Sequence, residues 1–245
     1  MPIRQNQSGV GTRVTPRVLV DGQATECNVW LNENGEAIPI HLVEEIIDDF
    51  ERGNLDPYGS DDWDTFTLLD VGDFAVKGRH VVRFEPDTPG TDMIYSPVGN
   101  GLRNYPVRGD KFRWFTYREN NIGNNRARTS FGGQKTTTDD IDVVNDPNYW
   151  AGVWENKIRL SRWENGSIQN MEEVFLTPPT SQWMRIDVDW DSAGDGNIHM
   201  SMYSESGTLQ GSITMQDTTW DDGGFGWIAG HELNNPQFVD YAHLI

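Results

Sequence analysis

Short runs in which apolar and polar residues alternate recur along most of the chain. A period of two places successive side chains on opposite faces of a strand, which is typical of a half-buried β-sheet. In the clearest run, residues 183–190, Met184, Ile186, Val188 and Trp190 share one face. Turn signals rich in Gly, Asn and Asp separate the runs, which favours an antiparallel sandwich or barrel. The runs span residues 65–70, 80–85, 111–117, 157–163, 183–190, 197–203 and 212–215.

Helical periodicity is scarce, and only residues 41–49 fit a brief helix. The last three strands of the series, separated by the turns at 192–196 and 206–207, predict a meander of hairpin-linked neighbours. The segment Gly223-Gly224-Phe225-Gly226 is predicted to be a turn between strands rather than a phosphate-binding loop.

Residues 1–44 differ from the rest because they are rich in Asn, Gln, Gly and Thr and poor in apolar residues. Such a segment cannot form its own core. We therefore predict an extended N-terminal arm at 1–44, with extended pieces at 14–21 and 28–31, followed by one all-β sandwich at 45–245. The arm is expected to lie on a neighbouring subunit or on the sandwich itself.

Charge narrows the choice of partners. The formal net charge is −19, with 38 acidic residues against 19 basic ones, and this repels nucleic acid and anionic membranes. Asp outnumbers Glu and Lys is scarce beside Arg, a balance that indicates adaptation to high salt, where the Debye length shrinks to about 3 Å. An ordinary acidic protein is the alternative.

Several segment types are missing from the sequence. Cys27 is the only cysteine, so no disulfide forms within the chain. No apolar stretch reaches the length of about 20 residues that a membrane-spanning helix needs. The polar N-terminus lacks the apolar run of a secretory signal, which predicts assembly in the cytoplasm rather than export.

Several blocks of sequence resemble a known family. Ile47-Asp48-Asp49-Phe50-Glu51-Arg52-Gly53-Asn54-Leu55 is similar to the first strand of the concanavalin-A-like, laminin-G-like jelly rolls of haloarchaeal proteins. The late blocks 183–190, 217–220, 223–227 and 238–241 follow in the family's order. The resemblance covers about residues 46–245 and implies an antiparallel two-sheet jelly-roll sandwich, without fixing a function.

The resemblance also implies a structural calcium site where the first and last strands meet. Asp49, Glu51 and Asp240 occupy the matching positions, and hard carboxylate oxygens suit Ca²⁺. Acidic residues that are simply solvated on a salt-adapted surface are the alternative interpretation.

Catalysis has no strong candidate. Asp187, Asp189 and Asp191 share a strand face, but related glucanases alternate Glu with Asp, and here every acid is Asp. The loop at 189–196 lacks the ligand set of an EF-hand and is predicted to be a hairpin turn. We therefore predict that the chain is not an enzyme.

Aromatic residues give the best candidate binding site. Trp150 and Trp154 fall on one strand face, and Trp163 lies in the next strand. Sugar rings stack on indole, and the neighbouring polar loop, which includes Asn121 and Asn124 and extends to Arg126 and Arg128, would bond hydroxyl groups. Packing of these Trp residues inside the sandwich is the alternative.

Together these features predict a non-catalytic virion protein of a virus that infects haloarchaea. We expect a capsid turret, decoration protein or tail fibre, a homo-oligomer that contacts other virion proteins through residues 1–44 and attaches to host-surface glycans. The alternatives are an exported cell-surface glycan-binding module and a glycosidase or lyase acting on polysaccharides.

Overall fold

The computed structural model describes residues 17–20, 23–26, 45–61, 65–85, 91–119, 126–142, 144–230 and 236–245. The chain divides into two units, residues 1–44 and 45–245. In the first unit, β1 (Arg17–Val20) pairs antiparallel with β2 (Gln23–Glu26). The first extended piece predicted for the arm, 14–21, contains β1, whereas the second, 28–31, lies outside the described residues.

The second unit consists of two antiparallel sheets, as the sequence predicted. The seven-stranded sheet has the order β12-β11-β10-β9-β16-β7-β4, and the eight-stranded sheet has the order β15-β14-β13-β8-β17-β6-β5, with β3 paired to β17. A short 3-10 helix, Gly72–Phe74, follows β5. No helix in the described part of the chain is long and apolar enough to cross a membrane. The strands of the second unit are β3 (Glu45–Asp48), β4 (Gly59–Ser60), β5 (Phe66–Asp70), β6 (His80–Phe84), β7 (Thr91–Ser96), β8 (Lys111–Arg118), β9 (Arg126–Gly133), β10 (Asn148–Trp154), β11 (Lys157–Glu164), β12 (Ser167–Phe175), β13 (Gln182–Trp190), β14 (Asn197–Tyr203), β15 (Leu209–Gln216), β16 (Gly224–Gly230) and β17 (Gln237–Leu244).

Every alternating run in the sequence corresponds to a strand, and the meander is confirmed because β13, β14 and β15 are consecutive antiparallel neighbours. Two other predictions are wrong. Residues 45–48 form β3 rather than part of a helix, because the strand pairs with β17. The predicted turn at 223–226 instead begins β16, where Gly226 allows close approach to Ile94 of β7.

Aromatic side chains fill the space between the sheets. Phe112 of β8 packs edge-on against Phe131 of β9, with ring centroids 5.2 Å apart. Trp114 of β8 and Trp227 of β16 meet in the same way at 5.6 Å. These contacts join the two sheets, and Trp114, Trp190 and Trp227 have no exposed area. Burial of rings this large is a major source of the stability of the sandwich.

Candidate functional site

The outer face of the seven-stranded sheet, which points away from the inter-sheet core, carries the candidate site. Residues paired directly across antiparallel strands share a face, so the strand register defines rows of neighbouring side chains. Two of these rows cross six strands each. One consists of Met93, Ile228, Arg128, Gly152, Arg159 and Glu173, and the next of Tyr95, Gly226, Ser130, Trp150, Ser161 and Met171.

The three predicted Trp residues line one cavity on this face, with a volume of about 440 Å³. Trp150 stacks on Trp163 with ring centroids 4.2 Å apart and an angle of 21° between the planes. None of the three belongs to the main cluster between the sheets, although Trp150 is part of a smaller buried cluster against which Trp163 packs. The structure therefore brings together the three residues that the sequence selected.

These rings are nevertheless largely covered. Trp150 is 2% exposed and Trp154 is 7% exposed, whereas Trp163 is partly buried. Guanidinium groups account for much of the cover: the guanidinium carbons of Arg126, Arg128 and Arg159 lie 4.7, 4.7 and 3.7 Å from the Trp154 ring centroid. A ligand entering the cavity therefore meets cations as well as indole rings.

A close approach between β9 and β10 creates the space for Arg128. Gly152 is paired with Arg128, and a Cβ atom at position 152 would lie 2.3 Å from the carbonyl oxygen of Ala127 and 2.8 Å from Cγ of Arg128. On the other side of β9, a Cβ atom at Gly230 would lie 2.6 Å from Cδ of Arg126. Glycine at these positions lets both arginine side chains lie against the sheet.

Positive charge dominates the lining of the cavity. Arg126, Arg128, Lys157 and Arg159 are its basic residues, and Glu155 is its acidic one. Glu173 of β12 is paired with Arg159 in the strand register and lies beside the lining. Glu173 accepts hydrogen bonds from Arg159 Nε and Nη2 at 2.9 and 2.6 Å and lies 3.1 Å from Lys157 Nζ. Burial raises the pKa of Glu173, but the bonds from Arg159 and Lys157 outweigh this effect and hold the pKa below its ordinary value.

Arg128 has no such partner. Its side chain is 1% exposed, and Nε, Nη1 and Nη2 all lack a hydrogen-bond partner among the residues that the structure describes. Burial lowers the pKa of Arg128 well below its ordinary value, and the charges of Arg126 and Arg159 lower it further. Because arginine does not deprotonate in proteins, this lowering means that burial and the neighbouring charges disfavour the charge at this position.

The remaining predicted site residues fall into two groups. Asn121 and Asn124 lie outside the described residues. Arg126 and Arg128, predicted to belong to the same polar loop, lie instead in β9, because that strand pairs with β10 on one side and β16 on the other.

Several residues of the cavity were not predicted from the sequence, namely Lys157, Arg159 and the rim residue Phe175. Lys157 and Arg159 were recognisable, because they alternate with Trp163 along β11 and therefore share its face. Phe175, 67% exposed at the end of β12, carried no comparable pattern.

The predicted calcium ligands have other partners. Asp49 pairs with Arg103 at 3.1 Å, and Glu51 Oε1 accepts the backbone N–H groups of Arg79 and His80. Asp240 Oδ2 accepts the N–H groups of Val76 and Lys77, and burial raises the pKa of Asp240 to about 7.

No group of three acidic, His or Cys side chains in the described part of the chain is placed to hold a metal ion. Asp49, Glu51 and Asp240 therefore do not form a preassembled calcium cluster, and a structural Ca²⁺ stays a prediction.

The aspartates that suggest a glycosidase lie on or beside the other sheet and form ion pairs. Asp187 accepts two hydrogen bonds from Arg113, at 2.6 and 2.9 Å, and Asp189 pairs with Lys111 at 2.8 Å. Asp191, which follows β13, pairs with Arg108. The turn after Asp191 joins β13 to β14 as a hairpin, as predicted.

The eight-stranded sheet also carries residues chemically similar to those of the cavity. The Arg185 guanidinium carbon lies 4.0 Å from the Tyr203 ring centroid. Trp183 is partly buried, packs against Phe74 and Tyr117, and donates a hydrogen bond to the Phe74 carbonyl at 2.8 Å. Neither Arg185 nor Trp183 lines the cavity, so substitutions of these two residues are useful controls.

Neither a protein-family model nor a curated protein matches the chain in sequence. Solved structures match its fold. A legume lectin-like domain from Entamoeba histolytica is 8% identical, with 80% of this chain and 92% of that chain covered and a TM-score of 0.55. The VIP36 exoplasmic/lumenal domain, in a Ca²⁺/Man3GlcNAc-bound form, is 10% identical, with 83% of this chain and 88% of that chain covered and a TM-score of 0.54. A family 16 glycoside hydrolase, an endo-glucanase from Bacteroides ovatus, is 11% identical, with 81% of this chain and 98% of that chain covered and a TM-score of 0.52.

At these identities the likeness shows the fold, which is a concanavalin-A or legume-lectin-like jelly roll as the sequence predicted. Because both lectins and a hydrolase share it, the fold alone does not choose between binding and catalysis.

Proposed function

We propose that this chain is a non-catalytic glycan-binding protein whose ligand occupies the cavity on the outer face of the seven-stranded sheet. The convergence of Trp150, Trp154 and Trp163 on one cavity is the observation that carries the proposal. Its volume of about 440 Å³ falls in the range of roughly 300–1,000 Å³ that is usual for small-ligand sites. Aromatic rings beside charged donors suit a sugar, which has apolar C–H faces and many hydroxyl groups.

The charge state of Glu173, which lies beside the cavity, supports binding rather than hydrolysis. A general acid in a glycosidase needs a carboxyl group with a raised pKa. Glu173, by contrast, is held ionised by Arg159 and Lys157. Incubating the protein with a panel of polysaccharides tests this part of the proposal, and release of oligosaccharides or unsaturated products would favour the glycosidase or lyase alternative.

We propose further that the glycan belongs to a host cell surface and that the protein is a virion turret, decoration protein or tail fibre. The sequence resemblance to haloarchaeal jelly rolls, the acidic composition and the separate unit at residues 1–44 support this role. We expect residues 1–44 to contact other virion proteins, and the chain to form a homo-oligomer. Mass spectrometry of purified virus particles should detect the chain in many copies. Its recovery only from cell envelopes would favour the cell-surface module.

Substitution of Trp163 tests the binding site. On an array of neutral, carboxylated and sulfated glycans, Trp163→Ala should weaken binding about tenfold, because the partly exposed ring supplies a contact and supports Trp150. Trp183→Ala is the matched control, since it removes a partly buried indole from the other sheet. Equal losses for the two variants, or unchanged binding in Trp163→Ala, would contradict a glycan site in this cavity.

A further inference from the structure

The unpaired guanidinium of Arg128 has a position that packing alone does not explain. A charge buried without a partner is strongly destabilising, and a fold normally avoids it by pairing the charge or leaving it in water. Here the strand register, the missing Cβ atom at Gly152 and the bulk of two indole rings combine to hold the side chain inside the cavity. These three features of the sheet thus keep the Arg128 charge buried, which is costly in the ligand-free protein.

The contacts of Arg128 leave its hydrogen-bond donors unused. Its guanidinium carbon lies 4.5 Å from the Trp150 ring centroid and 4.7 Å from that of Trp154. Cation–π contacts of this kind hold the charge over the ring faces without using the N–H groups. All three guanidinium nitrogens are buried and lack a hydrogen-bond partner in the described part of the chain, so their N–H groups stay unsatisfied unless a ligand reaches them.

Neighbouring charges do not compensate for Arg128. Arg126 and Arg159 both lower its pKa by repulsion. Glu173, beside the lining, is engaged by Arg159 and Lys157, and Glu155 is the acidic residue of the lining itself. This excess of positive charge occurs in a chain with a net charge of −19, so the basic lining is a local feature that runs against the overall composition.

Resting on the glycan-binding function proposed above, we propose that the ligand is an acidic sugar whose carboxylate or sulfate group pairs with Arg128. A planar guanidinium presents two parallel N–H groups that match the oxygens of either anion, and such charge-assisted pairs are short and strong. The anion would supply the partner that Arg128 lacks and reduce the repulsion from Arg126 and Arg159. The sugar ring then lies against Trp163 and the rim of the cavity.

Matched pairs of polymers test this inference by isothermal titration calorimetry at physiological salt. Polygalacturonate and its fully methyl-esterified form differ only in the carboxylate charge, whereas dextran sulfate and dextran differ only in sulfation. We expect the acidic member of at least one pair to bind at least tenfold more tightly than its neutral counterpart, and the pair that discriminates identifies carboxylate or sulfate. The negative net charge disfavours nonspecific attraction of either polyanion.

Variants of Arg128 test whether this residue causes the preference for the acidic polymer. Arg128→Met should lose at least tenfold in affinity for the acidic polymer and keep its affinity for the neutral one. Arg128→Lys, which keeps the charge but not the planar pair of donors, should show an intermediate loss and tests the idea even if the Met variant does not fold. Arg185→Met removes the same charge from an arginine stacked on Tyr203 in the other sheet, and its affinity should stay within twofold of the unsubstituted protein.

The outcomes separate the inference from the proposed function. Equal affinity for the members of both pairs, or an Arg128→Met variant that still prefers the acidic polymer, overturns the acidic-sugar inference and leaves glycan binding standing. Poly-glutamate bound as tightly as the acidic polysaccharide also overturns it, because charge alone would then be recognised. No binding to any sugar on the array or in these pairs overturns the proposed function and this inference together.

Discussion

Replacement of Arg128 by Met should stabilise the ligand-free protein. Arg128 is 1% exposed and its guanidinium nitrogens have no hydrogen-bond partner in the described part of the chain. Replacing buried ionic groups with apolar side chains of similar volume is often stabilising, by about 1–4 kcal/mol. Met has a similar length, no charge and no donor to satisfy, so it removes the repulsion from Arg126 and Arg159 without leaving a large void.

The contacts with the two indole rings oppose this gain. Losing a desolvated cation–π contact costs about 2 kcal/mol, and the thioether of Met recovers about 0.3–1.5 kcal/mol through contacts with aromatic rings. With about 2 kcal/mol for the two ring contacts together, central values of about 2.5 kcal/mol gained, about 2 lost and about 1 recovered give a net change in the free energy of unfolding of about 1–2 kcal/mol in favour of the variant. For a domain of this size that corresponds to an increase in Tm of about 2–8 °C.

Thermal unfolding followed by circular dichroism, with no sugar present, measures this difference. Arg159→Met is the matched control, because Arg159 also lies over the Trp154 ring but is paired with Glu173. Its loss leaves Glu173 with Lys157 alone, so we expect a lower Tm. If Arg128→Met lowers Tm as much as Arg159→Met does, the buried guanidinium is not an energetic burden in the free protein. The reason for expecting an anionic ligand would then disappear.

Two further predictions concern pH and salt. Burial, together with the positive charges of Arg113 and Lys77, lowers the pKa of His243 to about 4, and its Nδ1 lacks a hydrogen-bond partner in the described residues. The unfolded chain therefore binds a proton at higher pH than the folded one, and stability is lost as pH falls from about 6.5 toward 4. His243→Phe keeps the stacking on Tyr241 and should be more stable than the unsubstituted protein, with a difference in Tm that grows as pH falls through this window. The difference in the free energy of unfolding should be on the order of 1–3 kcal/mol at pH 4. A difference in Tm that is equal at pH 5 and pH 8 would show that His243 does not titrate in this way. The second prediction is that Tm falls when NaCl is reduced from molar concentration to about 0.1 M, because screening of the acidic surface is lost, and a Tm that stays flat across this range would remove the argument for salt adaptation.

The sequence predicted strands most accurately where one face of the strand is wet. β8 and β13 alternate buried and partly exposed residues along most of their length, so their period of two was visible. All seven residues of β10 and of β16 are buried, because these central strands are covered on both faces, and a strand of this kind shows no alternation. The glycines of β16 added a false turn signal, although they serve close packing against β7.

Only part of the candidate site could be predicted from the sequence in the same way. Trp150, Trp154 and Trp163 could be grouped because a two-residue turn joins β10 to β11, which makes their pairing local. Arg128 was predicted only as part of a polar loop, because its place beside the rings depends on the pairing of β9 with β10 across the long connection between those strands. Such a register depends on tertiary structure, and the segment that contains Arg128 has the polar composition of a loop.

The burial of Arg128 also bears on how an acidic protein would hold an acidic ligand in brine. At molar salt the Debye length is about 3 Å, so attraction between exposed charges on protein and glycan is almost completely screened. A pair formed inside a cavity is screened much less, because water and ions do not lie between the partners. An exposed lysine patch would therefore lose its affinity in high salt, whereas a guanidinium packed against Trp150 and Trp154 would keep it. On this reasoning the buried arginine suits the high-salt environment that we propose from the acidic composition, and the affinity of the cavity for an acidic sugar should depend on salt far less steeply than exposed charge pairs do.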